Sequence, residues 1–294
     1  MLTLEEKSYI GGVIDGDGCI TSSNANHSCN ILSTTSYDYL KIVEKMLKKY
    51  KTRIDYHKER GNRKGLWSLK FSQKPDNLLP FLDEIEDYVV LKKPRIKILR
   101  EIVKGKNIKE NRIKLSEYNK TGKMPDGWVE PVIPKSEIYN KPYVAGLIDS
   151  EGSFRIYYRR SKKSYSPIIS VELTSFQLID YLAYILPYNV YVYDYTRKKI
   201  NPNHKKSQVL TIPTKHQMRF INDIEPYLIL KQPQIEVFKD FKLKRKSKPE
   251  CFTTMKQLNQ RGTNINIQII NNITINNPVI NIAPQQTLLD KYFN

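Results

Sequence analysis

The chain has 294 residues, enough for two ordinary domains that each bury a core without disulfides. Its 49 Lys and Arg against 30 Asp and Glu give a net charge of +19, which points to a polyanionic partner, nucleic acid first. Cys19, Cys29 and Cys251 have no disulfide or zinc-ligand pattern, no run nears the roughly 18 apolar residues of a membrane span, and MLTLEEKSYI lacks signal-peptide order, so an intracellular, non-membrane protein is expected.

The first predicted element is a helix reaching Asp17. Tyr9-Ile-Gly-Gly-Val-Ile-Asp-Gly-Asp-Gly-Cys-Ile20 is apolar up to its last turn, then presents two acids one residue apart and stops at Gly18. A glycine just past a helix end is expected to supply a left-handed cap. Ser36 precedes Leu40, Val43, Met46 and Leu47 at helical spacing and reads as an N-cap. Trp67, Leu69 and Phe71 alternate with Ser68 and Lys70, which predicts a strand with one apolar and one polar face. A further helix is expected to start at Lys92, within Tyr88-Val-Val-Leu-Lys-Lys-Pro-Arg-Ile96.

The stretch from 106 to 140 carries Gly122, Pro125, Gly127, Pro131 and Pro134 among polar residues and reads as a linker. Beyond it the chain repeats itself. Tyr143-Val-Ala-Gly-Leu-Ile-Asp-Ser-Glu-Gly-Ser-Phe154 follows the first motif position by position. Ser175 before Ile179, Leu182, Ile185 and Leu186 answers Ser36, and Tyr227-Leu-Ile-Leu-Lys-Gln-Pro-Gln-Ile235 answers the segment at 88–96. Phe154, Ile156 and Tyr158 alternate with Arg155, Tyr157 and Arg159 along another strand. Three pairings in one order indicate a duplicated domain, each half reading helix, two strands, helix, two strands, helix, helix. The domains are expected at 1–105 and 141–246, with a low-complexity Asn/Ile-rich tail over 247–294.

Small residues within the two motif helices, Gly11 and Gly12 in one and Ala145 and Gly146 in the other, let those helices pack closely and bring Asp17 and Glu151 together. Two carboxylates at helix C-termini oppose the helix dipole and each other, so a cation is expected between them. Magnesium, with manganese as the alternative, uses few carboxylates and binds phosphate oxygens, which suits phosphodiester hydrolysis.

At this point the sequence resembles the LAGLIDADG homing endonucleases, with Ile10-Gly-Gly-Val-Ile-Asp-Gly-Asp-Gly18 and Val144-Ala-Gly-Leu-Ile-Asp-Ser-Glu-Gly152 as two copies of the signature. The resemblance implies an α+β protein of two pseudo-twofold-related αββαββα domains with saddle-shaped antiparallel sheets. It also implies a monomer that cuts both strands of a long asymmetric duplex and leaves short 3′ overhangs. It places metal on Asp17 and Glu151, with the carbonyls of Gly16 and Ser150 as further ligands, and makes Asp15 and Asp149 structural. Lys92 and Lys231 carry over as catalytic residues near the scissile phosphates, and Ser36 or Thr35 and Ser175 or Thr174 as solvent-positioning candidates. DNA readout is expected from the polar strand faces, at Thr21, Ser23, Ser68, Lys70, Arg155, Tyr157 and Arg159. Two rival readings stand beside this one: a maturase with intron RNA as partner, and a DNA-binding regulator that does not cut.

Overall fold

The protein is described by a computed structural model over residues 2–22, 27–58, 65–71, 74–121, 139–195 and 206–260. Ser23 and the part of the tail beyond residue 260 lie outside the described residues. The N-terminal half runs α1 (Leu4–Asp17), β1 (Cys19–Ser22), β2 (His27–Thr34), α2 (Tyr37–Met46), β3 (Thr52–His57), β4 (Leu66–Phe71), α3 (Pro75–Ile85), α4 (Lys93–Val103) and α5 (Ile108–Thr121). The C-terminal half repeats this order as α6 (Lys141–Glu151), β5 (Gly152–Arg159), β6 (Ser164–Leu173), α7 (Phe176–Ile185), β7 (Tyr191–Tyr195), β8 (Ser207–Thr211), α8 (Gln217–Ile224), α9 (Gln232–Lys242) and α10 (Lys248–Leu258). Each half thus holds the expected αββαββα order, and its four-stranded antiparallel sheet is ordered β1-β2-β4-β3 or β5-β6-β8-β7.

Local chemistry starts the motif helices. Thr3 and Glu6 form a reciprocal capping box at the head of α1, and the Asn140 side chain accepts the Tyr143 N–H at the head of α6. Ser36 caps α2 by accepting the Tyr39 N–H at 3.3 Å, whereas Ser175 holds the N-cap of α7 without a side-chain bond. Gly18 and Gly152 follow the motif helices in extended conformation, at φ −68° and −71°, not in the left-handed form expected of a helix-ending glycine. What excludes a side chain there is space: a Cβ on Gly18 would lie 2.5 Å from the Ile14 carbonyl oxygen, and one on Gly152 2.7 Å from that of Ile148.

The motif helices pack on each other at the centre of the molecule. A Cβ at Gly12 would stand 2.0 Å from the Tyr143 carbonyl oxygen, and one at Gly146 2.1 Å from that of Tyr9, so these two glycines set the approach of the halves. Gly11 serves a different contact, against Tyr88 of its own half. Because α1 and α6 are enclosed on nearly all sides, Tyr9, Ile10, Val13 and Ile14 are fully buried, as are Tyr143, Val144 and Leu147 in their counterpart.

Two packed helices fall outside the expected domain boundaries. Helix α5 falls inside the stretch read as linker, yet it packs on α4 and β1, with Leu115 and Tyr118 buried and Asn119 donating to the Ile20 carbonyl at 2.9 Å. Helix α10 falls inside the stretch read as tail. It packs on α9 and β5, buries Cys251 and Met255, and donates from Asn259 to the Phe154 carbonyl at 2.8 Å. Ile20 and Phe154 are equivalent in the repeat, so each half closes its first strand with an asparagine from a following helix. Ending the chain after Lys246 is therefore expected to lower the melting temperature by several degrees relative to ending it after Gln260, since two buried side chains are lost, each worth about 1.5–3 kcal/mol. Equal melting of the two truncated proteins would show α10 to be dispensable.

Candidate active site and nucleic-acid surface

Asp17 and Glu151 end helices that pack at their small residues, and a Cβ at Gly16 would lie 2.4 Å from the Ser150 Cβ and 3.3 Å from the Glu151 Cγ. Burial first, and the facing Glu151 second, push the Asp17 carboxyl up to about 7, while Lys231 and Lys92 oppose the rise. Burial likewise raises Glu151, against the pull of Lys231 and Lys92. Among the described residues no group of three or more His, Cys, Asp or Glu gathers around one point. The donor set is therefore a carboxylate pair, which fits a hard, largely hydrated divalent ion and not a zinc-type cage.

The sign of the Asp17 shift has a measurable consequence. An unfolded carboxyl titrates near 4, so between about 4 and 7 the metal-free folded protein holds a proton that the unfolded chain has lost. The stabilisation from this group is complete below the lower value and is lost as pH rises through the higher one. Thermal melts of the metal-free protein are expected to show a falling midpoint over that window, and Asp17→Asn is expected to flatten the fall. A profile unchanged by the substitution would remove Asp17 as its source.

Lys92 and Lys231 lie beneath the acids as helix clamps. The Lys92 ammonium shares its three N–H groups among the carbonyls of Ile14 at 2.7 Å, Asp15 at 2.9 Å, Gly16 at 3.1 Å and Gly18 at 2.7 Å. That of Lys231 donates to Ile148 at 2.5 Å and Asp149 at 2.6 Å. A cation at the negative end of a helix dipole satisfies its last carbonyls and offsets the nearby carboxylates. Burial pulls both ammonium groups below the usual lysine range. The Gly16 carbonyl, expected to face metal, already accepts from Lys92. Ser150, whose carbonyl is the counterpart expectation, turns its side-chain hydroxyl back to the Gly146 carbonyl at 3.1 Å. Asp15 and Asp149 are buried, with burial raising each carboxyl against Lys92 and Lys231 respectively.

Strand register assigns the remaining candidates to sheet faces. Val171 pairs with Leu210 on the core side, and Arg155, Tyr157 and Arg159 lie on the opposite face of β5, all three exposed. Arg155 reaches the Ser170 hydroxyl at 3.1 Å. In the N-terminal half Thr21 is exposed on the polar face of β1. Ser68 is not available there. It is 2 % exposed and its hydroxyl lies 2.9 Å from that of Ser33, because the strand alternation that turns it from the apolar core still leaves it covered by neighbouring strands. Lys70 is half-buried and pairs with Asp55 at 3.1 Å, which Arg53 also engages at 2.8 Å, so its charge is partly spent within the sheet.

Two features escaped the reading of the sequence. Glu172 lines a cleft of about 310 Å³ together with Glu151, Ser153, Arg155, Ser170 and Ser207, and accepts from the Ser207 hydroxyl at 2.9 Å. Thr174, one of the solvent-positioning candidates, lines the same cleft, whereas Ser175 does not. Only the pairing of β6 with β5 and β8 brings it there. The edge strand β7 presents Tyr191, Tyr193 and Tyr195 on the same polar face, 65 %, 51 % and 39 % exposed, and their spacing in Tyr-Val-Tyr-Asp-Tyr was a legible signal.

Residues 5–110 match the family model for the LAGLIDADG-like domain. Curated proteins provide no significant match. Among solved structures, the I-LtrWI LAGLIDADG homing endonuclease bound to target DNA superposes with a TM-score of 0.57 at 16% identity, covering 88% of this chain and 98% of its own. I-GzeII in complex with its DNA target gives 0.54 at 13% identity, over 86% and 96%. I-SmaMI bound to an uncleaved DNA target in the presence of calcium ions gives 0.51 at 14%, over 87% and 98%. The chain therefore carries a LAGLIDADG-like domain in its N-terminal half and, across both halves, the two-domain fold of the LAGLIDADG homing endonucleases.

Proposed function

We propose that this protein is a site-specific endonuclease that hydrolyses one phosphodiester bond in each strand of a long, asymmetric DNA duplex, acts as a monomer and leaves short 3′ overhangs. The observation that carries the reading is the meeting of Asp17 and Glu151 at the ends of two abutting helices, each of which leads directly into a sheet with a polar, solvent-facing surface. The net charge of +19 and the DNA complexes of its structural neighbours support the choice of substrate.

In this reading Asp17 and Glu151 hold divalent metal, magnesium or manganese, which lowers the pKa of water and offsets charge on the leaving oxygen. Lys92 and Lys231 keep the carboxylate-bearing helix ends in place by filling their carbonyls. Arg155, Tyr157 and Arg159 read base edges in the major groove, joined by Thr21 on the other sheet. Lysines elsewhere contact phosphates and set the salt dependence. A regulator that does not cut would need neither acid, and both are present.

The likeness to homing endonucleases implies a reading frame carried by a mobile insertion, so the test uses the DNA flanking that insertion, joined with the insertion removed. Incubation with magnesium is expected to yield two fragments, and chelation to leave the duplex bound and whole. Binding without cutting under magnesium and manganese would sink the nuclease reading. Arg155→Ala is expected to relax the preference at one or two base pairs by about 1–3 kcal/mol each. An unchanged cleavage profile across single-base variants of the target would remove Arg155 from the readout set.

A further inference from the structure

We propose that Tyr9 and Tyr143 are positioning residues that act across the interface, each setting the acid-and-lysine assembly of the opposite half, so that the two strand cuts are governed separately. The inference rests on the nuclease reading above and adds a division of control between the halves.

Asp15 lies two residues before Asp17 and is 3 % exposed. Its carboxylate accepts the N–H groups of Val90 at 2.7 Å, Leu91 at 3.1 Å and Lys92 at 2.8 Å, and the Tyr143 hydroxyl at 2.7 Å. The three amides belong to the head of α4, so Asp15 holds the backbone from which the Lys92 side chain returns to the last carbonyls of α1. The result is a closed ring: α1 grips the head of α4, and α4 grips the acid-bearing end of α1. Every member comes from the N-terminal half except the hydroxyl of Tyr143, which stands on α6.

The other half has the reciprocal ring. Asp149 accepts the N–H groups of Ile229 at 2.7 Å and Lys231 at 2.9 Å, and the Tyr9 hydroxyl at 2.6 Å from α1. Each motif helix therefore carries one acid for its own site and lends one phenol to its partner's. A buried carboxylate that loses one of its donors must turn to find another or remain under-solvated. Either response is transmitted through the amides it holds to the lysine and the helix end.

The two rings are unequal. Among the described bonds, Asp15 takes three amides and Asp149 two, and Lys92 fills four carbonyls where Lys231 fills two. The Tyr9 hydroxyl also lies 3.1 Å from that of Tyr39. Tyr143 instead meets the ring of Tyr181 edge-on at 6.0 Å. The C-terminal ring has fewer internal ties, so it depends more on the phenol it borrows, that of Tyr9.

The experiment follows each strand separately on a duplex labelled at both ends, with the full-length protein. Tyr9→Phe is expected to slow the cut made by the Glu151 half by about tenfold, the lower end of the effect of losing an outer-shell partner of a metal site, and to accumulate duplex nicked in the other strand. Tyr143→Phe is expected to reverse the strand preference with a smaller slowing. Duplex affinity measured in calcium is expected to stay within a factor of about two, since neither phenol touches DNA. Equal slowing of both strands, or no slowing of either, would overturn the inference while leaving the nuclease reading intact, and failure of the unaltered protein to cut would overturn both. Where a phenylalanine variant does not fold, fluorotyrosine at the same position keeps the hydroxyl and changes only its acidity. It is held to the same strand-selective criterion.

Discussion

Asp17→Asn and Glu151→Gln proteins are each expected to bind the target duplex without breaking both of its strands, with double-strand cleavage reduced by about a thousandfold or more, the rate equivalent of the several kcal/mol a metal ion contributes at phosphorus. The substitutions keep size and remove charge, so they separate loss of metal binding from loss of structure. They should not weaken the apo protein. Burial and mutual repulsion hold the Asp17 carboxyl up near 7, so the neutral amide relieves a charge that the metal-free fold accommodates poorly. The expected pattern is lost cutting, retained binding and an unchanged or higher melting temperature at neutral pH. Full-rate cutting by either variant would end the case for these two residues as metal ligands. A collapsed fold would do equal damage, by making both acids structural.

The second large effect concerns the interface itself. Gly12→Ala and Gly146→Ala each place a methyl group about 2 Å from a carbonyl oxygen of the opposite helix, and backbone cannot yield as a flexible side chain can. The halves must separate by a fraction of an ångström or more along helices whose middle turns, residues 8–15 and 143–149, are buried throughout. A loss of about 3 kcal/mol or more is expected, with a fall in melting temperature on the order of 10 °C. The same displacement moves Asp17 from Glu151, so metal affinity should drop alongside stability. A Gly12→Ala protein that melts with the wild type would show that the halves meet more loosely than these distances require.

Much of the fold is legible in the residues because duplication, hydrophobic period and capping chemistry are local properties. The acid-tipped helix recurs with its small residues at the same positions, and burial on all sides of α1 and α6 agrees with a run that is apolar nearly throughout. Strand alternation put Arg155, Tyr157 and Arg159 on one face without any knowledge of their neighbours. The helices α5 and α10 were hidden because polar residues dominate both, and their few buried side chains have meaning only against β1 and β5.

The site shows the same division. That two carboxylates end two matching helices is written in the order of residues from Tyr9 and from Tyr143. What each neighbour does is decided by partners distant in the chain. Lys92 and Lys231 matched a pattern for lysines near a scissile bond, but folding turns their ammonium groups onto the carbonyls of the motif helices. Ser68 looked free on a polar face until β2 brought Ser33 against it. Glu172 carried no signal, since a lone acid on a strand becomes a neighbour of Glu151 only when β5 and β6 pair. Sequence by itself determined the duplication, the two halves and the pair of acids, because each is a matter of residue type at short range. Only the tertiary structure decided which polar groups face solvent and which satisfy one another, because a buried hydrogen bond depends on where its partner is held and not on what the residue is.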